Sequence, residues 1–183
     1  MSGVSQIVGG GLNLKKVIDC ANDAHDKIGK FHQRFTLSPE QLMKADYVLQ
    51  NLSWASIPYK EQDISAVPND RRGIYAFSVL AGCNLCPQTG YVLYIGIAGR
   101  RSNRSLRARY GEYRRDSSIL KRPAITRMIG TWHEVLHFFF APVDDCVTTE
   151  ELMTMEEQLN GALLPPCSKA DIEGEIKEKV RAF

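Results

Sequence analysis

The stretch GIYAFSVLAGCNLCPQTGYVLYIG, residues 73–96, decides the fold of this chain. It opens with an apolar run rich in β-branched and aromatic residues, crosses a loop of Gly, Pro and Asn, and returns to a second run of the same kind. This pattern predicts two antiparallel strands joined by a long loop. The segment Leu106–Tyr113 follows with helical spacing, so Arg109 and Tyr113, four residues apart, share one face of a predicted helix.

The hairpin carries two tripeptides, GIY at 73–75 and YIG at 94–96, and the helix after it carries Arg109 and Tyr113. A later predicted helix carries Glu156. In this order and at these offsets, the residues resemble the GIY-YIG nuclease superfamily, over Gly73 to about Ser168. Family members have an arginine, a histidine or tyrosine four residues on, and a later metal-binding glutamate.

The resemblance implies an α+β fold, a small three-stranded antiparallel sheet flanked by helices, here with an N-terminal helical extension. It also implies a divalent-metal-dependent endonuclease that hydrolyses phosphodiester bonds in DNA, in restriction, phage defence or a mobile element. The implied catalytic residues share a place in the family pattern: Tyr75, Tyr94, Arg109, Tyr113 and Glu156. Gly96 supports them, and Ser168 stands where many members have a supporting asparagine.

The implied mechanism gives each of these residues a role. Glu156 holds one Mg²⁺ or Mn²⁺, a hard cation that needs few protein ligands. Arg109 donates to a non-bridging phosphate oxygen, where negative charge grows. Tyr75 orients the attacking water or acts as its base, which requires nearby cations to lower its pKa. Tyr94 and Tyr113 form hydrogen bonds around that water and the phosphate.

Basic residues cluster in one segment although the net charge of the whole chain is only +2. Between Gly99 and Arg127, ten basic residues stand against Glu112 and Asp116, and nine of the ten are arginine. Guanidinium groups suit bidentate phosphate contacts, so this segment is predicted to bind nucleic acid, with DNA as the partner. The predicted phosphate-contacting side chains lie close along the chain: Arg100, Arg101, Arg104, Arg107, Arg114 and Arg115.

Three parts are predicted along the chain: residues 1–72, the nuclease-like core 73–168, and a charged C-terminal helix 169–183. The first part contains a flexible arm, an amphipathic helix over Leu12–Phe35, and a second helix that Ser38 caps and that ends near Leu52. Trp54–Arg72 is predicted to be an irregular connection. The apolar faces of the two helices can pack on the core or form a homodimer, and the sequence leaves both open.

Beyond the arginine-rich segment, a short helix is predicted at Pro123–Ile129 and a third strand over Trp132–Ala141. Thr148 or Thr149 is predicted to begin the helix that bears Glu156 and ends before Pro165. On that helix Glu156 should face inward with Leu159 and Leu163, while Glu157 points outward.

The chain has five cysteines, no signal-peptide pattern and no long apolar run. These features predict a reduced, cytoplasmic protein with no membrane span. Cys83 and Cys86 form C-x-x-C in the hairpin loop, but a zinc site needs four ligands and no second pair lies nearby. Two reduced loop cysteines are the favoured interpretation.

Two other functions compete with the nuclease. A non-catalytic nucleic-acid-binding module would account for the arginines but not for the complete catalytic pattern. A zinc metalloprotease would use His133 and His137 of the sequence HEVLH, a motif that requires a helix. On the predicted strand the two histidines would lie roughly 13 Å apart, too far for one zinc ion.

Overall fold

The computed structural model describes residues 29–80, 90–100 and 104–168, without the side chains of residues 30 and 45–50. The chain divides into two compact units, Met1–His32 and Gln33–Phe183. In the first unit, the described residues form a single 3-10 turn at Gly29–Phe31, followed by His32. Residues 32–38 have no regular structure, so the helix predicted over Leu12–Phe35 does not extend to Phe35.

The second unit contains a four-stranded antiparallel sheet with the order β1-β4-β2-β3. Its strands are β1 (Ala55–Pro58), β2 (Gly73–Leu80), β3 (Gly90–Ala98) and β4 (Leu136–Pro142). The α+β class agrees with the prediction, but the predicted three-stranded sheet is wrong by one strand.

The additional strand, β1, lies inside the segment predicted to be irregular. It is a four-residue edge strand in which only Ile57 is buried, and it ends at Pro58. Such a short segment has no alternating pattern of its own. Pairing with β4, where Ile57 faces Phe138, makes it a strand.

Five α-helices surround the described sheet. They are α1 (Pro39–Asn51), α2 (Leu106–Glu112), α3 (Asp116–Ile119), α4 (Pro123–Trp132) and α5 (Thr149–Leu163). The predicted caps of α1 and α5 are confirmed. Ser38 accepts a hydrogen bond from the Gln41 amide, and Thr148 forms a reciprocal capping box with Glu151. Such caps stabilise a helix by about 1 kcal/mol each.

The third strand was predicted to begin at Trp132, but β4 begins at Leu136. Trp132 instead ends α4, and His133 is its C-terminal cap. Residues up to Trp132 are helical because Ile125, Met128 and Trp132 recur at spacings of three and four and pack into one cluster.

The sheet has a hydrophobic cluster on each face. The first cluster packs Tyr75 and Phe77 of β2 against α2 and α4. The second packs Ile74 and Ala76, the alternate residues of β2, against Leu152 and Leu159 of α5. Because neighbouring side chains on a strand point to opposite faces, one short strand serves both clusters.

Strand β3 contains a β-bulge. The register shifts after the pair Phe77–Tyr94, and the next pair is Ser78–Val92, so Leu93 is the extra residue. Leu93 and Tyr94 therefore both contact the first cluster. Tyr94 lies on the same face as Tyr75 through the regular pairs Tyr75–Gly96 and Phe77–Tyr94, and the bulge adds Leu93 to that face.

Several predictions fall outside the described residues: most of the first predicted helix, the C-terminal helix, Arg101, and the loop with Cys83 and Cys86. Within the described ranges, no helix combines the length and apolarity needed to cross a bilayer.

Candidate active site

The two tripeptides meet across the sheet at Tyr75 and Gly96, which are paired residues of β2 and β3. A Cβ atom built on Gly96 would lie 2.5 Å from the Tyr75 hydroxyl oxygen and 2.7 Å from its Cζ. It would also lie 3.0 Å from Cε1 of Tyr94. The third residue of YIG must therefore be glycine, because the phenol of GIY occupies the space of its side chain.

Gly73 has a related constraint on the other side of β2. A Cβ atom there would lie 2.2 Å from the carbonyl oxygen of Ala141 in β4. That neighbour is backbone, so it cannot rotate away. The two motif glycines thus allow close approach of β2 to both of its neighbours.

The Tyr75 hydroxyl is the centre of a hydrogen-bonded group. It lies 2.8 Å from the Tyr113 hydroxyl and accepts a 3.0 Å hydrogen bond from Nε of Arg109. Because the arginine N–H donates to Tyr75, the phenol proton is free to bridge to Tyr113. Arg109 lies in α2, and Tyr113 is the C-terminal cap of the same helix. Both side chains face the sheet, as their four-residue spacing predicted.

Long-range contacts hold α2 in this place. Ser105 caps its first turn, and the Leu106 amide donates to the carbonyl of Arg71 just before β2. At the other end, the Tyr59 hydroxyl donates a 2.6 Å hydrogen bond to the Tyr113 carbonyl. The Tyr113 backbone is therefore fixed by the connection that follows β1.

Tyr94 lies beside this group. Its ring centroid is 6.2 Å from that of Tyr75 and 6.1 Å from that of Tyr113. Tyr75 and Tyr113 are fully buried, whereas Tyr94 is partly exposed. Among the three tyrosines, Tyr94 lies nearest to solvent.

Burial raises the pKa of Tyr75 well above its ordinary value, and Tyr113 and Tyr94 raise it further. Arg109 lowers this pKa, but less than burial raises it. Arg109 alone therefore does not bring the pKa of Tyr75 below its ordinary value in the free protein. At neutral pH Tyr75 is a neutral phenol.

Glu156 lies on α5 with its side chain turned inward, as predicted: it is 5% exposed, while Glu157 is exposed. It shares a helix face with Leu152 and Leu159, whose side chains pack in the second cluster. Its helix packs on β3 and β2 from the face that carries Ile74 and Ala76, opposite to the face that carries Tyr75 and Phe77.

The residues around Glu156 fit a hard divalent cation. One turn later on the same face, Asn160 is fully buried, and its Nδ2 donates to the Glu156 carbonyl. The Asn160 Oδ1 atom is buried and has no hydrogen-bond partner among the described residues. A carboxylate and a nearby unpartnered amide oxygen are ligands that Mg²⁺ accepts, and Mg²⁺ keeps several waters besides.

Ser168 joins the segment after α5 to the outer edge of β3. Its hydroxyl accepts a 2.9 Å hydrogen bond from the Ile95 amide and donates at 3.3 Å to the Ile95 carbonyl. The Cys167 amide adds a 2.9 Å bond to the carbonyl of Leu93. Ser168 thus binds the backbone of the YIG tripeptide.

The predicted phosphate-contacting arginines differ in their surroundings. Arg107 donates to the carbonyls of Val67 and Ser65, and Arg114 donates to that of Glu61, so both brace the connection after β1. Arg100 and Arg115 are exposed. Arg104 is 47% exposed and pairs with Glu112.

Two further residues join the group without having been predicted to act there. Glu112 pairs with both Arg104 and Arg109. The Arg122 guanidinium carbon lies 4.4 Å from the centre of the Tyr113 ring, and its buried Nη2 has no hydrogen-bond partner in the described structure. No pattern in the sequence distinguishes either residue, because both belong to a segment rich in charge.

The HEVLH sequence does not form a helix. His133 lies in the turn after α4, while His137 lies on β4, and burial lowers the pKa of His137. The prediction that both lie on one strand is wrong for His133. Glu134 between them pairs with Lys60 and His133 at the surface. Across the described residues, no three His, Cys, Asp or Glu side chains converge as a metal-binding group.

Comparisons of the chain with protein-family models, curated proteins and solved structures found no match.

Gly96→Ala is expected to destabilise the protein, since its methyl group would overlap Tyr75. Overpacking of this kind costs about 1–3 kcal/mol. Urea unfolding measures the loss. Combining Gly96→Ala with Tyr75→Phe removes the closest clashing atom and should recover part of the stability. Strictly additive losses in the double variant would contradict this account of Gly96.

His133→Gln is expected to leave the fold and any nuclease activity nearly unchanged, because His133 lies in a surface turn. Thermal unfolding and a cleavage assay measure both, and metal analysis of the purified protein gives an independent reading. Stoichiometric zinc that disappears in the variant, together with its activity, would instead support a metalloprotease.

Proposed function

We propose that this chain is a divalent-metal-dependent endonuclease of the GIY-YIG type that hydrolyses phosphodiester bonds in DNA. One observation carries the proposal: Tyr75 of the first tripeptide fits over Gly96 of the second and binds Arg109 and Tyr113. Four residues at separate positions of the family pattern thus form one contact group. A restriction, phage-defence or mobile-element setting fits a compact nuclease with helical additions.

Hydrolysis forms a bond from a water oxygen to phosphorus and breaks the bond from phosphorus to the 3′ oxygen. The water gives up a proton to a base, and the leaving 3′ oxygen receives one from solvent. The protein must place the water, balance the charge that grows on the phosphate oxygens, and assist the leaving oxygen.

Arg109 is the group best placed to contact the phosphate. Its side chain is 24% exposed. Nε binds Tyr75 and Nη1 binds Glu112, whereas Nη2 has no acceptor among the described residues. A guanidinium is always charged at neutral pH and donates strongly to phosphate oxygens. Arg109 therefore offers one free donor edge to the substrate.

Tyr75 is covered in the free protein, so we assign it two successive roles. Before DNA binds, its hydroxyl holds Nε of Arg109. When DNA binds, the hydroxyl orients the attacking water while it keeps its hydrogen bond to Arg109. Tyr113 then accepts the phenol proton in a hydrogen bond. Tyr94, partly exposed, completes the surroundings of that water.

Glu156, with the amide oxygen of Asn160 close by along α5, would hold the Mg²⁺ or Mn²⁺ ion. When bound, that ion supplies positive charge to the scissile phosphate and to the leaving 3′ oxygen. The exposed arginines Arg100, Arg104 and Arg115 supply the sequence-independent attraction to the DNA backbone. A cytoplasmic location belongs to the same proposal.

The second candidate is a DNA-binding module without catalysis, and one observation favours it: the hydroxyls of Tyr75 and Tyr113 are buried against each other. Incubation with supercoiled plasmid separates the two. With Mg²⁺ or Mn²⁺ the nuclease nicks or linearises the plasmid, EDTA stops it, and sequencing the ends locates the cut. Binding in a gel-shift assay without any metal-dependent cleavage would support the second candidate.

A further inference from the structure

Glu112 stands out in the arginine-rich segment because it is acidic and touches the candidate site. One carboxylate oxygen accepts a hydrogen bond from Nη1 of Arg109, and the other accepts from Nη1 of Arg104. Its side chain is only 20% exposed, so these charge-assisted bonds are partly shielded from water.

The Arg109 guanidinium is consequently held at two points. Nε donates to Tyr75 at 3.0 Å, and Nη1 donates to Glu112. Its central carbon lies 5.5 Å from the Tyr113 ring centre, which limits movement on a third side. A planar group held at two of its three nitrogens has a defined direction for the third, Nη2. Glu112 therefore determines where the free donor edge of Arg109 points.

We propose, on the basis of the endonuclease function above, that Glu112 is a positioning residue that orients Arg109 for its contact with the scissile phosphate. A carboxylate among arginines also repels DNA. Its presence weakens binding while it improves the geometry of the reacting group. Removing the charge of Glu112 should therefore lower the cleavage rate but not the affinity for DNA. Measuring both quantities tests the role of Glu112.

Glu112→Gln is the decisive variant, since it keeps the size of the side chain and removes its charge. The cleavage rate at saturating DNA is expected to fall ~10- to 100-fold, the range that a misplacement of about 1 Å produces. The dissociation constant for DNA should stay equal or decrease. An unchanged rate, or a rate and an affinity that fall together, would overturn the proposal.

Asp116→Asn is the matched control. Asp116 is the other acidic residue of the segment, is exposed, and has no recorded contact with Arg109. It should tighten DNA binding about as much as Glu112→Gln does, with a rate within about twofold of the wild type. Glu112→Asp keeps the charge and should recover part of the rate. An Asp variant as slow as the Gln variant, at equal thermal stability, would also overturn the proposal.

A nuclear magnetic resonance measurement tests the same contact without relying on cleavage. The Nε–H signal of Arg109, assigned through its loss in Arg109→Lys, should shift or broaden in Glu112→Gln but not in Asp116→Asn. An unshifted signal in Glu112→Gln overturns the positioning role. If the wild-type protein shows no metal-dependent cleavage, the endonuclease function fails, and this signal still decides whether Glu112 orients Arg109.

Discussion

Replacing Glu156 with glutamine is expected to abolish DNA cleavage and leave DNA binding nearly intact. Glutamine keeps an oxygen but lacks the negative charge that a hard divalent cation prefers. Loss of metal-dependent charge stabilisation is worth several kcal/mol, which corresponds to a rate at least ~10³-fold lower. The arginines that attract DNA lie on other elements, so their contribution stays. Single-turnover cleavage at saturating Mg²⁺ and a gel-shift titration measure the two quantities.

Glu157→Gln is the control for this experiment. It makes the same chemical change on the adjacent residue of α5, whose side chain is exposed rather than buried. Its cleavage rate should stay close to that of the wild type. Thermal unfolding of both variants separates a catalytic loss from a loss of folded protein. If Glu156→Gln still cleaves DNA at saturating Mg²⁺, Glu156 does not hold the metal.

Arg109→Ala is expected to lower the cleavage rate about 100-fold while DNA binding weakens much less. One donor that stabilises transition-state charge contributes on the order of 3 kcal/mol. The contact strengthens only as charge develops, so it affects the rate at saturating DNA rather than the affinity. The variant also leaves the Tyr75 hydroxyl without its arginine donor, at a cost in stability of about 1–3 kcal/mol that urea unfolding measures.

Arg115→Ala provides the contrast, because Arg115 is exposed and is the N-terminal cap residue of α3. This variant should weaken DNA binding and reduce the slope of log affinity against log salt by about one, as expected for a lost phosphate contact. Its rate at saturating DNA should fall far less than that of Arg109→Ala. If both variants lose affinity and cleavage rate in the same proportion, the two arginines do not have separate roles.

The comparison between Glu156 and Glu112 shows how far the sequence determines the candidate site. Glu156 interrupts an apolar stripe on a long amphipathic helix, and that stripe together with the family resemblance predicted its inward direction. Glu112 lies in a short helix rich in charge, where no periodicity separates a structural acid from a surface one. Only the folded chain brings Arg104 and Arg109 to its two oxygens, and the role proposed for Glu112 rests on those contacts.

The tyrosine chemistry also depended on the tertiary structure. The sequence placed Tyr75 and Arg109 in the same pattern and suggested that the cation lowers the pKa of the phenol. The folded protein buries that phenol between Tyr113 and Tyr94, so desolvation exceeds the effect of the arginine. Desolvation depends on every neighbouring group, whereas a sequence motif shows only which residues are present.

The sequence by itself determined the elements whose signals are local. The β2–β3 hairpin follows from two β-branched and aromatic runs around a turn-rich loop, α1 from the Ser38 cap, and α5 from its Thr148 cap and apolar spacing. Tertiary structure alone decided that β1 is a strand, that β4 begins at Leu136, and that Ser168 binds the backbone of Ile95. These features depend on backbone partners that are distant along the chain, as in the pair Ile57–Phe138. Local sequence patterns cannot predict such partners, because hydrogen bonds between strands that are distant along the chain depend on how the whole chain packs.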